Sequence, residues 1–218
     1  MLVAALLTSS CDKSSDNVSS ITTYHEISIL GDEVVLHPVN TPYEDAGCIS
    51  MQGDEDVTAG VVVSNPVDVN TTGVYTIVYK STNSDGFSAS ASRTVKVYDP
   101  AGTLQGDWSS SINRAYNGAT ASRSRTVSLL ALSSNRYLVE CLLGGWYSGN
   151  GASYLAKSII TVNDDNTLTL NNCVALPWGY PCTFVEGSAK YDPATDSFTW
   201  TSYMLDVPTM LFNVTLTR

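Results

Sequence analysis

Apolar and polar residues alternate with a period near two along most of this chain, and nowhere is the 3.6-residue period of an amphipathic helix sustained. In the first hundred residues, "EVVLHPV" (33–39), "VVVSNPVDV" (61–69), "GVYTIVYKSTN" (73–83) and "SASRTVKVYD" (90–99) alternate or cluster β-branched side chains between Gly, Asn, Pro and Asp. Short strands at such regular spacing predict a small β-sandwich, with Tyr75, Ile77 and Tyr79 facing its core. The remainder reads as consecutive hairpins. "SRTVSLLAL" (124–132) and "RYLVECLLGGWY" (136–147) flank "SSN"; "KSIITV" (157–162) and "TLTL" (167–170) flank "NDDN"; "SAKY" (188–191) and "SFTW" (197–200) flank "DPATD"; and "MLFNVTLT" (210–217) follows. Consecutive hairpins that close on themselves remove exposed sheet edges, so an up-and-down barrel or a strongly curved sandwich of about eight strands is expected.

Charge divides the chain where the pattern does. Residues 1–100 hold 13 acidic and 4 basic side chains, residues 101–218 hold 8 and 7, and all four tryptophans, Trp108, Trp146, Trp178 and Trp200, lie in the second group. Three segments follow: 1–20 a partial leader and flexible tether, 21–100 a sandwich, and 101–218 an antiparallel barrel-like domain. A net charge of −10 without a basic cluster excludes nucleic acid as a partner, because phosphate binding draws on grouped Lys and Arg.

The apolar run "MLVAALL" (1–7) is too short to span a bilayer and stops at "TSSC", after which polar residues continue to about Ser20. Thr8, Ser9, Ser10 and Cys11 resemble the lipobox of bacterial lipoproteins, which implies cleavage before Cys11 and lipid on its thiol. No Lys or Arg precedes the run, so the residues shown are read as starting partway into a signal. Multiple acyl chains give stable attachment, at roughly 0.8 kcal/mol per buried CH2.

Residues 26–99, ending in "TGVYTIVYKSTNSDGFSASASRTVKV", resemble the Ig-like modules of bacterial surface proteins, which commonly act as spacers. Gly106-Asp107-Trp108 is similar to the Gly-Xaa-Trp signature of lipocalins, in which the tryptophan closes one barrel end and stacks with a basic residue from near the C-terminus; no partner is assigned from sequence. Together these features resemble the surface lipoproteins of gut Bacteroidetes. That resemblance implies a lipid-anchored protein of the outer membrane, displayed at the cell surface and associated with polysaccharide use.

Catalytic chemistry finds little support. His25 and His37 lie outside any nucleophile-elbow or triad context, so no catalytic residue is assigned. Asp164, Asp165, Asp192 and Asp196 fall in expected turns. Glu140 alternates with Leu138 and Leu142; with the leucine face inward it would point into the barrel and pair with Arg123 or Arg125. The acidic stretch 43–56, carrying Glu44, Asp45, Asp54, Glu55 and Asp56, lacks the spacing of a Ca2+ loop and reads as solvated. No metal or cofactor is expected.

After Cys11, four cysteines remain, Cys48, Cys141, Cys173 and Cys182. Export permits a Cys173–Cys182 disulfide around "VALPWGYP"; the alternative is that all four are small buried hydrophobes.

Sugar binding needs only a planar aromatic face against pyranose C–H groups, with amides and carboxylates for the hydroxyls. Two Gly- and Pro-containing stretches suit it: "GGWYSGNGASY" with Trp146, Tyr147 and Asn150, and "NNCVALPWGYPC" with Trp178 and Tyr180. A hydrophobic plug over the barrel end is the structural alternative for each aromatic. The expected function is therefore non-enzymatic glycan binding, the partner being a polysaccharide or oligosaccharide. Two alternatives stand beside it: a subunit of an outer-membrane complex, and a carrier holding a small ligand inside the barrel.

Overall fold

The computed structural model describes residues 22–218, which are strands joined by turns and short 3-10 segments. Lipid attachment at Cys11 and the tether lie outside the described residues. β1 (His25–Ile29), β2 (Val34–Pro38), β3 (Cys48–Gln52), β4 (Glu55–Asp56), β5 (Val62–Ser64), β6 (Gly73–Thr82) and β7 (Ser88–Tyr98) form two sheets, β1-β3-β4 and β2-β7-β6-β5, with β2 parallel to β7. Ile77, Tyr79, Val95 and Val97 are fully buried between the sheets and pack with Ile27, Ile29 and Tyr75. This is the Ig-like sandwich, with β6 and β7 alternating as their sequence does. Residues 61–69 supply only three strand residues, because Pro66 cannot donate to a ladder and Asn65 accepts the Val67 N–H at 3.1 Å to make a turn.

The acidic stretch departs from its solvated reading. It contains β3, and Asp45 forms an ion pair with Arg93, whose side chain is 1% exposed against 15% for Asp45. Arg93 also donates from Nε to the Asp32 carbonyl at 2.9 Å and from Nη2 to the Leu30 carbonyl, while Tyr79 donates to Asp45 Oδ2 at 2.6 Å. A buried charge left without its partner costs several kcal/mol, so these bonds hold the segment 43–47 and the β1–β2 turn to the sandwich core. Burial alone would raise the Asp45 carboxyl, but hydrogen bonds from Tyr79 and Arg93 and the Arg93 charge hold it below the usual carboxylate value of 3.8.

The second half is a meander: β8 (Gly106–Tyr116), β9 (Ala119–Ala131), β10 (Arg136–Val139), β11 (Ser158–Val162), β12 (Leu168–Cys173), β13 (Cys182–Phe184), β14 (Lys190–Asp192), β15 (Ser197–Met204) and β16 (Val207–Thr217). The sheet path β12-β11-β10-β9-β8-β16-β15-β13 places β8 to β12 each beside a sequence neighbour and the last strand beside the first, while β13 and β14 both pair with β15. Backbone bonds from Leu168 N to the Ala189 carbonyl (3.0 Å) and from Tyr191 N to the Asn166 carbonyl (2.8 Å) draw the two ends of the path together. The result is a nearly closed up-and-down antiparallel barrel. Asn117 and Gly118, both at positive φ, make the two-residue turn that sets the β8–β9 register at Tyr116↔Ala119.

One expected strand is mostly something else. Of 136–147 only Arg136–Val139 is strand; Tyr137 and Val139 face the core, so Leu138 and Glu140 face outward, the reverse of the inward-leucine reading. Glu140 accepts the Ser128 N–H at 3.2 Å and pairs with neither Arg123 nor Arg125. The chain then turns into the barrel, and Cys141, Leu142, Leu143, Gly144, Gly145 and Trp146 are all buried. Trp200 Nε1 and Ser202 Oγ donate to the Leu142 carbonyl at 2.7 and 3.0 Å, and Ser110 Oγ donates to the Gly144 carbonyl at 2.9 Å. The interior a small ligand would occupy is filled by the chain itself.

Two outcomes follow. Asp45→Asn should lose about 3–5 kcal/mol in chemical denaturation of the Ig-like half. Because the folded carboxyl titrates lower than the unfolded one, its contribution is complete above 3.8 and fades as pH falls through the folded value; the variant should lack that acid-side loss. Gly144→Ala would place a methyl 2.6 Å from Ile112 Cγ1 at a φ of +65°, and should cost at least about 2 kcal/mol, read as a lowered melting temperature.

Candidate functional site

At the end of the barrel where β8 finishes and β9 begins, the buried segment surfaces through Trp146. Sequence reading offered this tryptophan as an exposed sugar platform, but it is 2% exposed. The guanidinium groups of Arg114 and Arg123 lie over its ring at 4.9 and 4.3 Å from the centroid, Phe212 meets it edge-on at 5.9 Å, and Arg123 Nη1 donates to its carbonyl at 2.6 Å. Gly144 and Gly145, read as loop markers, instead permit close approach: a side chain at 144 would collide with Ile112, one at 145 would crowd Arg125 at 3.1 Å, and both backbones are left-handed. Trp146 is a plug.

Trp178 is different. It is 43% exposed, yet Tyr147 and Tyr154 brace it edge-on at centroid distances of 5.1 and 5.2 Å. Tyr147 is half-buried and also contacts Phe212 at 6.2 Å and Met210, so the brace is anchored in the core. Pro177 and Gly179 flank the indole in a turn closed by Gly179 N to the Leu176 carbonyl at 2.8 Å, with Leu176 buried beneath. Asn150 is exposed in the 3-10 turn Ser148–Asn150, and Tyr180 is half-buried against the core. The structure thus joins the two candidate loops at one barrel mouth. Tyr154 completes the brace from "NGASY", three residues after the positive-φ Gly151; its place in that glycine-containing loop is the one signal the sequence offers for it.

Cys173 on β12 and Cys182 on β13 are free thiols at the base of the Trp178 loop, and Cys173 Sγ donates to the Val174 carbonyl at 3.6 Å. The neighbouring Cys182 thiol brings the Cys173 thiol down to about 6 against its partial burial, and the same interaction together with burial pushes Cys182 upward. Cys48 and Cys141 are buried.

The opposite end carries the other tryptophan closure. Arg218 lies over Trp108 at 4.4 Å, Trp108 Nε1 donates to the Leu104 carbonyl at 3.1 Å, and Phe198 packs edge-on at 4.9 Å. The cation over Trp108 is therefore the C-terminal residue of the chain shown, a partner that the sequence alone does not assign. Its register position after Thr217↔Ser109 places it beside Trp108. Trp200, like Trp108, is core.

The remaining candidates are structural. His25 bonds Ser81 and Gln52, and His37 bonds Thr41. A groove of about 490 Å3 between the outer face of the β2-β7-β6 sheet and β8–β10 has an aliphatic floor that includes Val34, Leu36 and Val74, and Glu140 lies on its rim. No aromatic side chain lines it.

Comparison with known proteins agrees with this architecture. Residues 27–97 match the family described as bacterial surface protein, Ig-like domain, and residues 98–218, more than half of the chain, match the BT2262-like C-terminal domain family. The lipoprotein BT2262 from Bacteroides thetaiotaomicron is 25% identical with a TM-score of 0.71, over 89% of this chain and 100% of that one. An auxiliary nutrient binding protein (BT3507) from the same organism aligns at 8% identity and a TM-score of 0.35 over 91% and 68% of the two chains. The ZmpB M60 catalytic domain with its CBM51 domains, from Clostridium perfringens, aligns at 16% and 0.32 over 91% and 21%. At such scores these last two carry no argument. No curated protein matches.

Proposed function

This chain belongs to the BT2262-like C-terminal domain family, and on that premise we propose that it is a non-enzymatic, lipid-anchored protein of the bacterial cell surface that binds a glycan at the Trp178 mouth of its barrel. The observation that carries the reading is an indole left 43% exposed while two tyrosines fix its orientation. An aromatic held rigid in water gains little from folding, since its apolar surface stays wet; its gain comes when a sugar face covers it. Asn150 and the Tyr154 hydroxyl are the polar groups offered from the same loop for sugar hydroxyls. The Ig-like sandwich serves as spacer, and attachment is through Cys11, in the outer membrane. Two features support binding over catalysis: the histidines are tied to structural partners, and the carboxylates of the second half lie in turns or on outer faces. The filled interior argues against a carrier of small ligands.

In the exported setting Cys173 and Cys182 are proposed to join as a disulfide that stiffens the 174–181 loop under Trp178.

Three measurements test these statements. Across a panel of soluble polysaccharides, Trp178→Ala should abolish binding while leaving the melting temperature unchanged, whereas Trp146→Ala should destabilise the barrel by about 3–5 kcal/mol. Failure of the folded wild-type protein to bind any glycan would remove the reading and favour a subunit of an outer-membrane complex, seen as a stoichiometric partner on purification from membranes. Protein taken from its native envelope should gain two thiol-alkylation labels on reduction, and none in Cys173→Ser; equal labelling before and after reduction would exclude the disulfide. Cys11→Ser should abolish incorporation of labelled palmitate into the cell-expressed precursor.

A further inference from the structure

The barrel mouth that Trp146 closes holds more positive charge than closure requires. At the opposite end a single arginine, Arg218, caps Trp108, and Asp196 lies 3.8 Å from it. At this end Arg114 and Arg123 both lie over one indole, which puts their guanidinium carbons no more than about 9 Å apart. That separation is close to a Debye length at physiological ionic strength, about 8 Å, so the two charges repel. Arg125 follows on β9, packed against Gly145. The β8–β9 register pairs Arg114 with Ala121, Ile112 with Arg123 and Ser110 with Arg125; since Ile112 and Ser110 are buried, all three arginines sit at register positions of the inner face.

None of the three has a compensating carboxylate. Among the described residues, ion pairs within 4.0 Å involve only Arg93 and Arg218. Arg123 Nη1 donates to the Trp146 carbonyl and Arg125 Nη1 to the Ser124 carbonyl. Arg114 Nε is shielded from solvent with no hydrogen-bond partner. Three arginines without a carboxylate partner thus concentrate positive charge at this mouth, in a chain of net charge −10. An unbroken run of aromatic contacts, Trp146 to Phe212 to Tyr147 to Trp178, connects the cluster to the exposed platform.

We propose that the ligand of this mouth is an acidic polysaccharide, whose carboxylate or sulfate groups engage Arg114 and Arg123 while a sugar ring covers Trp178. This rests on the glycan-binding reading above and narrows it. Guanidinium forks bind both anions in a bidentate manner, which a lysine does not reproduce.

The experiment is titration of the folded chain with polygalacturonate, dextran sulfate and neutral dextran, from about 0.05 to about 0.5 M salt. The expected result is tighter binding to one or both polyanions than to dextran, weakening steeply with salt. Arg123→Gln, at an exposed position, should cost about tenfold in that affinity, with a modest fall in melting temperature from the lost Trp146 contacts and the native fold verified by circular dichroism at the assay temperature, and Arg123→Lys should restore only part of the affinity. Arg114→Lys, which keeps the charge, should weaken it as well. Preference for polygalacturonate assigns a carboxylate, and preference for dextran sulfate assigns a sulfate. Polyanion affinity no greater than that for dextran, or unchanged in both Arg123→Gln and Arg114→Lys, overturns the anion site; dextran binding that depends on Trp178 would then leave the broader glycan reading standing. Polyanion binding lost in Arg123→Gln but intact in Trp178→Ala would uphold the anion site and remove the stacking platform. Absence of binding to all three polymers overturns the acidic-polysaccharide proposal.

Discussion

A barrel of eight strands encloses a space just wide enough to be filled by side chains or to hold one small ligand, and that space must be occupied for the fold to be stable. Here the occupant is a piece of backbone. Residues 141–146 leave β10 and run inside the barrel, which obliges every polar group of a non-strand segment to find a partner away from water. The Leu142 carbonyl takes two donors, from Trp200 and Ser202; the Leu142 N–H reaches the Ala156 carbonyl at 2.9 Å, and the Gly144 carbonyl takes Ser110. Glycines at 144 and 145 follow from the same constraint, because a side chain at 144 would collide with Ile112 and one at 145 would crowd Arg125, and both residues hold a left-handed backbone. Everything at the mouth depends on this plug: Trp146 emerges where the two arginines cover it, Tyr147 continues from it, and Trp178 leans on Tyr147.

The fold was legible wherever one face of a strand is buried. In β6 and β7 the two-residue period of the sequence is the two-residue period of burial, and the hairpins of the second half carried their turns in Asn, Asp and Gly. It was illegible where tertiary contact replaced alternation. The stretch 136–147 has the composition of a strand, but only four residues pair, since the chain must turn inward to fill the barrel. Asp45 looked like its solvated neighbours because the arginine that claims it lies 48 residues away.

The site was half legible for a related reason. Glycine beside tryptophan signals either an exposed loop or a close backbone approach, and the two outcomes differ only in what lies opposite. Trp178, with Pro and Gly on either side, took the first; Trp146, after two glycines, took the second. Arg114 and Arg123 were recoverable in principle. Asn117-Gly118 is the strongest short hairpin signal in the chain, and a two-residue turn there sets Arg114 opposite Ala121 and, one inward step further, Ile112 opposite Arg123. What no local rule supplies is the tryptophan that both arginines cover, which arrives from a separate segment.

The two ends of the barrel solve one problem with different electrostatics. Each is closed by a tryptophan under arginine, an arrangement worth about 0.5–2 kcal/mol per contact depending on solvent exclusion. At the Trp108 end the cation has its carboxylate: Asp196 accepts the Tyr191 hydroxyl at 2.8 Å and lies within reach of Arg218, and burial together with that carboxylate pushes the Tyr191 phenol up to about 12. Charge, donor and acceptor are balanced there, as a structural closure demands. At the Trp146 end the same closure is made with a second guanidinium, while the acidic side chains of the chain are concentrated in the first hundred residues. A purely structural plug would gain from a carboxylate at that position, since one would relieve the repulsion between the arginines and satisfy Arg114 Nε. The imbalance lies beside the exposed aromatic platform, at the end of the barrel where something from outside can complete it.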